Sequence, residues 1–266
     1  MFRYHRIVWS IAALGLLCWT PSARATTFVW GDVIQAGGIA GAGAHASGPG
    51  GEEHDEEQNP LNGLGTVTAE AQDSFGDRGS SLLQIEARSF RGESEGFATS
   101  WVEHEGTGWG YVSGGSQGSF SVMDIDGADL VALPFLVEGS LQTQGIGAGS
   151  GMVSLSIQNE QMESIFSEFW DFSTPGDFSL NEPILLDLVE GASYYYTLSG
   201  SMNTTASNYT EHFVRADEHA TRLTMSVWLG DDPTQPVPEP STALLLAPAL
   251  GGLLFAAHRR RRRPVR

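Results

Sequence analysis

The sequence predicts an all-β body, an antiparallel β-sandwich of jelly-roll-like type, and three observations carry that expectation. Apolar and polar residues alternate with period two in several runs. Clusters of Gly, Asn, Asp and Ser separate those runs, as turns separate the strands of a sandwich or barrel. No long amphipathic helical pattern occurs, which argues against the α/β enzyme folds.

Along the chain, residues 26–64 hold a first strand and then a stretch, 37–65, rich in Gly, Ala and acids. At its centre stands Glu52-Glu53-His54-Asp55-Glu56-Glu57. Such a stretch buries too little apolar surface to offset its ordering entropy, so a flexible loop is expected there. The sandwich proper is expected over 65–230. Residues 66–71 open it, and Leu83, Ile85 and Ala87 mark the next run. Residues 97–102 and 119–125 follow. Val131, Leu133, Phe135 and Val137 form one face of a further run, and Val153, Leu155 and Ile157 alternate with Ser154, Ser156 and Gln158. Residues 160–169 fit either a short helix or a strand. Residues 194–199 and then Leu223, Met225, Val227 and Leu229 complete the set, with Trp228 on the opposite parity. Residues 231–236 form a short acidic, proline-containing linker.

Charge and cysteine content exclude several function classes. The chain has 266 residues, 32 acids and 14 basic residues, all of them arginine. Nine of those arginines lie at the two ends. Residues 25–258 therefore carry five arginines against all 32 acids, a net charge of about −27. That charge disfavours nucleic acid and anionic lipid as partners. The single cysteine, Cys18, lies in the leader, so the mature body has no disulfide, thiol nucleophile or cysteine-bound zinc.

Candidate chemistry is sparse. Asp124-Ile-Asp126-Gly-Ala-Asp129 sets Asp124, Asp126 and Asp129 around a glycine, where calcium would find hard oxygen ligands. The favoured reading of the same residues is a β-hairpin turn at Asp126-Gly127, joining 120–125 to 129–135. The run at 52–57 would bind divalent cations weakly at most and reads as a solvated, self-repelling loop. Gly114-Gly-Ser116-Gln-Gly118 matches the letters of a nucleophile elbow, but a strand follows where that motif needs a helix. His45, His54, His104, His212 and His219 form no HExxH pattern and are expected to be solvated. In Gly106-Thr-Gly-Trp109-Gly-Tyr111, Trp109 and Tyr111 are the aromatic pair best placed to be exposed. Flat rings on a sheet face stack on sugars, although Trp101, Trp170 and Trp228 suit packing roles equally.

The ends read as addresses. Residues 1–25 have a signal-peptide pattern: Arg3 and Arg6, an apolar stretch over 7–19, and Ala23-Arg-Ala25 for cleavage. Near the other end, Pro238-Glu239-Pro240 precedes an apolar stretch and then Arg259, Arg260, Arg261, Arg262 and Arg263. The 241–258 segment spans about 27 Å as a helix, short for a bilayer core of about 30 Å, and the arginines would stay cytoplasmic. These three linked features, at 237–266, closely resemble the PEP-CTERM sorting domain of exported bacterial proteins. The resemblance implies processing by an exosortase near the Pro-Glu-Pro triplet and removal of the leader by signal peptidase. It also implies a transient stay in the inner membrane, then a place at the cell surface or in an exopolysaccharide matrix. The expected function is that of an exported, non-enzymatic sandwich. A calcium-dependent carbohydrate-binding module and a carbohydrate-active enzyme are the alternatives.

Overall fold

The computed structural model describes residues 26–48, 51–74, 76–98, 105–125, 130–207 and 219–230. Residues 1–25, Trp101, His104, Asp126, Asp129, His212 and residues 231–266 lie outside the described residues. Fourteen strands build the described body: β1 (Thr27–Gly48), β2 (Gly51–Asn62), β3 (Gly65–Gln72), β4 (Arg78–Glu86), β5 (Ser89–Ala98), β6 (Glu105–Met123) and β7 (Val131–Leu133). They continue as β8 (Phe135–Gln144), β9 (Gly147–Gln158), β10 (Ser164–Phe172), β11 (Gly176–Asn181), β12 (Ile184–Leu186), β13 (Ser193–Ser207) and β14 (His219–Leu229).

Two six-stranded antiparallel sheets face each other. The first runs β10-β9-β13-β6-β1-β2 and the second β11-β8-β14-β5-β4-β3, with β12 and β7 as a small separate pair. The architecture is a β-sandwich, as the alternation predicted. Its sheets are wider than those of an eight-stranded jelly roll, and it keeps local hairpins at β1–β2 and β9–β10 and a β3–β4–β5 meander.

The two halves of the sandwich are packed by different means. Under β9, β13, β14 and β8, large inward residues fill the gap: Leu155, Ile157, Leu198, Leu223, Met225 and Val227 are all at most 1% exposed. Each such side chain contributes about 1.5–3 kcal/mol by leaving water. Under β1 and β6 the inward residues are small. Ala40, Ala42 and Ala44 are fully buried, facing a sheet that offers Ala69, Ala71 and Gly79. A Cβ on Gly79 would lie 1.8 Å from the carbonyl oxygen of Trp109, and one on Gly110 would lie 2.4 Å from that of Ser80. In this half the two backbones are in direct contact, and dispersion between main chains replaces side-chain burial.

The 37–65 loop expectation is corrected: these residues form most of the β1–β2 hairpin, with Gly37 paired to Asn62 and Gly48 to Gly51. The acids at its centre have a structural task. In β2, Glu53, Asp55, Glu57 and Asn59 point toward the opposite sheet, whose edge strand β3 would otherwise leave amides unpaired. The Glu70 N–H donates to Glu57 Oε2 at 2.6 Å, the Gln72 N–H to Asp55 Oδ2 at 2.9 Å and the Ser74 N–H to Glu53 Oε2 at 3.1 Å. Asn59 Nδ2 donates to the Thr68 carbonyl at 2.6 Å. The run at 52–57 is thus a clasp on a sheet edge rather than a solvated loop, with every second residue bonded across.

One smaller correction and one resolved alternative follow from strand pairing. The 131–137 run breaks at Pro134 into β7 and β8, because proline has no N–H for a ladder. Residues 164–172 form strand β10, and the turn before it is held by Asn159 Oδ1, which accepts from the amides of Gln161 and Glu163.

Candidate functional site

The outer face of the first sheet gathers the aromatic pair. In β6, Val112, Gly110 and Gly108 point inward, so Trp109 and Tyr111 point out by the parity of the strand. Both are half-buried, their ring centroids 5.8 Å apart and their planes inclined by 23°. Register explains the burial. Trp109 pairs with Gly43 and Tyr111 with Gly41, and the rings lie across these two glycines. A Cβ on Gly43 would lie 2.2 Å from Cε2 and Cζ2 of Trp109, and one on Gly41 would lie 2.0 Å from Cε1 of Tyr111. The glycines of β1 therefore form a shallow bed that fixes the rings while part of each stays in solvent.

Polar groups flank the rings. On β13, Asn203 pairs with Tyr111 and Thr205 with Trp109, and both are exposed. Beyond β1 stand Gln58 and Glu56 of β2, where Gln58 Nε2 donates to Glu56 Oε1 at 2.6 Å and His54 Nε2 lies 3.4 Å from Glu56 Oε2. Rings with amides and hydroxyls at their margin can stack on a sugar ring and pair with its hydroxyls.

The other candidate residues fall elsewhere. Asp124 lies just past β6 with φ 59°, and its N–H donates to Glu190 Oε1 at 3.3 Å. The strand pairing expected on either side of 126–129 is not made: β6 pairs with β1 and β13, whereas β7 pairs with β12. Among the described residues no group of three or more His, Asp or Glu side chains is arranged to hold a metal. Ser116 lies inside strand β6 and is buried, so its surroundings are not a nucleophile elbow. Trp170 packs inward against Phe135 with centroids 4.7 Å apart, while Trp228 stands outward, half-buried on β14. His219 departs from the solvated expectation: it is 7% exposed, and its Nδ1 accepts the Ile146 N–H at 2.7 Å, so a neutral ring carries its proton on Nε2.

Glu57 and Tyr196 are shifted. The Glu70 amide, and after it the Asn59 side chain, hold the Glu57 carboxyl below the usual glutamate range. Burial pushes the Tyr196 phenol up.

A polar groove on the same outer face was not legible in the sequence. It encloses about 380 Å³ and is lined by Gln35, Asn62, Gln117, Thr197 and Ser199, among others. Strand pairing brings these distant residues together, with Gln117 opposite both Gln35 and Thr197. A run of outward amides and hydroxyls was the available signal, but it acquires meaning only once the strand order is known.

No family model matches the chain, and no curated protein does. Among solved structures, a β-sandwich carbohydrate-binding module of promiscuous specificity is similar over 79% of this chain and all of its own, at 9% identity and a TM-score of 0.21. A structure of infectious bursal disease virus, Gx strain, is similar over 85% of this chain and 76% of its own, at 9% identity and a TM-score of 0.18. Likeness at these scores carries no argument about function.

Proposed function

We propose that the protein is an exported, non-enzymatic β-sandwich that is sorted to the cell surface or the extracellular matrix and contacts polysaccharide there. The leader at 1–25 and the Pro238-Glu239-Pro240, apolar and arginine sequence at 237–266 support export and sorting. The observation that carries the contact with polysaccharide is the Trp109–Tyr111 pair, held outward on a glycine bed beside Asn203 and Thr205.

The test is binding of the intact chain to a panel of polysaccharides by affinity electrophoresis, alongside Trp109→Ala. Binding to at least one polysaccharide, weakened on the order of tenfold in the variant, supports the reading. Equal binding by variant and parent removes the aromatic pair from the contact. Release of new reducing ends would overturn the non-enzymatic part.

A further inference from the structure

The distribution of charge narrows the ligand class of this face, an inference that rests on the reading just given. Strands β6, β9 and β13 form one block of three neighbours in the first sheet. Across all three, Glu105 at the very start of β6 is the one charged residue. The surrounding body is strongly acidic, so its charge is placed elsewhere. Part lies in the β2 clasp. Part lies on the outer face of the second sheet, where Arg78 pairs with Glu95 and Arg222 with Glu93.

What the block presents outward beyond Glu105 is a track. From Tyr111 the outward residues of β6 are Ser113, Gly115 and Gln117, and β13 sets Ser201, Ser199 and Thr197 beside them. At one end lies the aromatic pair and at the other the 380 Å³ groove. Gln117 lies six positions past Tyr111, about 20 Å along the strand. On β6 and β13 the floor between carries only hydroxyls and a glycine, with the exposed Met152 of β9 beside Ser201.

We infer that this face takes an uncharged glycan in extended form, laid along β6 from the Trp109–Tyr111 pair to the Gln117 and Thr197 groove. Sugar hydroxyls would pair with neutral amides and hydroxyls, which neither demand nor release counterions. A polyanion would instead find no cation on the block to offset the net charge of the body. Binding should therefore be indifferent to salt, whereas contacts between charges weaken as ionic strength rises.

The experiment titrates the intact chain with a neutral soluble glucan and, separately, a polyuronate of matched length, at about 0.02 M and about 0.5 M sodium chloride. The variants are Trp109→Ala and the double change Gln117→Ala with Thr197→Val, both of whose sites are exposed. An unchanged melting temperature certifies the fold of each. The inference expects glucan binding that shifts less than about twofold between the two salts, and no polyuronate binding. It also expects the groove variant to lose about fivefold or more with the long glucan but nothing with a disaccharide, which reaches only the aromatic pair. Polyuronate binding that fades with salt would overturn the inference and leave the polysaccharide reading standing. Glucan binding untouched by the groove variant would overturn the track alone. Absence of binding to either polymer would remove both.

Discussion

Replacing Gly108 by alanine would place a Cβ 2.1 Å from the carbonyl oxygens of Arg78 and Phe97 and 2.5 Å from the Phe97 amide nitrogen. All three atoms belong to the backbone of the opposite sheet, so no rotamer change relieves the overlap. Reaching even a tight contact of 3.0 Å requires the sheets to part by about 0.9 Å along this line. Overpacking of this kind typically costs 1–3 kcal/mol, and a rigid obstacle belongs at the upper end, about 3 kcal/mol. For a domain of this size, each kcal/mol lowers Tm by roughly 2–4 °C, which gives a fall of about 6–12 °C. Gly151→Ala is the matched control. It makes the same chemical change at another inward strand glycine, but its new Cβ would meet Leu223 and Met225 at 3.4 Å, an ordinary contact. That variant should be neutral or gain up to about 1 kcal/mol, because alanine restricts the unfolded chain. Thermal melts of the two variants beside the parent decide the matter. Similar shifts for both would refute the claim that the sheets touch backbone to backbone beneath β6.

Two further outcomes concern the clasp and the ends. Glu57 is held below its ordinary pKa, so its contribution to stability is present above the unfolded value of about 4.3 and is lost as pH falls through the lower folded value. Stability should therefore drop on acidification below about pH 4, and Glu57→Gln should flatten that dependence; parallel pH curves for parent and variant would show that the carboxylate is not engaged. The secreted product should begin near Thr26 and end near Pro240, and an intact mass that still includes Arg259 to Arg263 would contradict sorting by cleavage at the Pro-Glu-Pro triplet.

The parts of the fold that announce themselves are those where side chains fill the gap between the sheets. Val153, Leu155 and Ile157 in β9, and Leu223, Met225 and Val227 in β14, show period two plainly because each inward position carries a bulky apolar group. The β1–β2 hairpin is hidden for the converse reason. Its inward residues are alanines on β1 and carboxylates on β2, and neither type registers as the apolar half of an alternation. A strand is recognised by what it buries against, and here it buries against main chain. The site divides in the same way. The outward parity of Trp109 and Tyr111 follows from their spacing within one strand, whereas the groove needs Gln35, Gln117 and Thr197 from three strands whose adjacency no local pattern encodes.

The end of β14 has a mechanical consequence. Gly230 closes that strand, donating its N–H to the Pro134 carbonyl at 2.7 Å, and it sits so close to Trp30 that a Cβ there would come within 2.6 Å of the indole. Both ends of the described body thus meet at one pole, and β1 and β6 run from there toward Trp109 and the opposite pole. Tension entering the body through Gly230 pulls along the axis of β14. That strand is flanked on both sides, by β5 from His219 to Trp228 and by β8 from Ala220 to Leu229. Its ladder hydrogen bonds lie perpendicular to the pull, so they resist together in shear rather than opening one after another. A body tethered at that pole while gripping a polymer near the other would carry drag through a strand paired on both sides along its length.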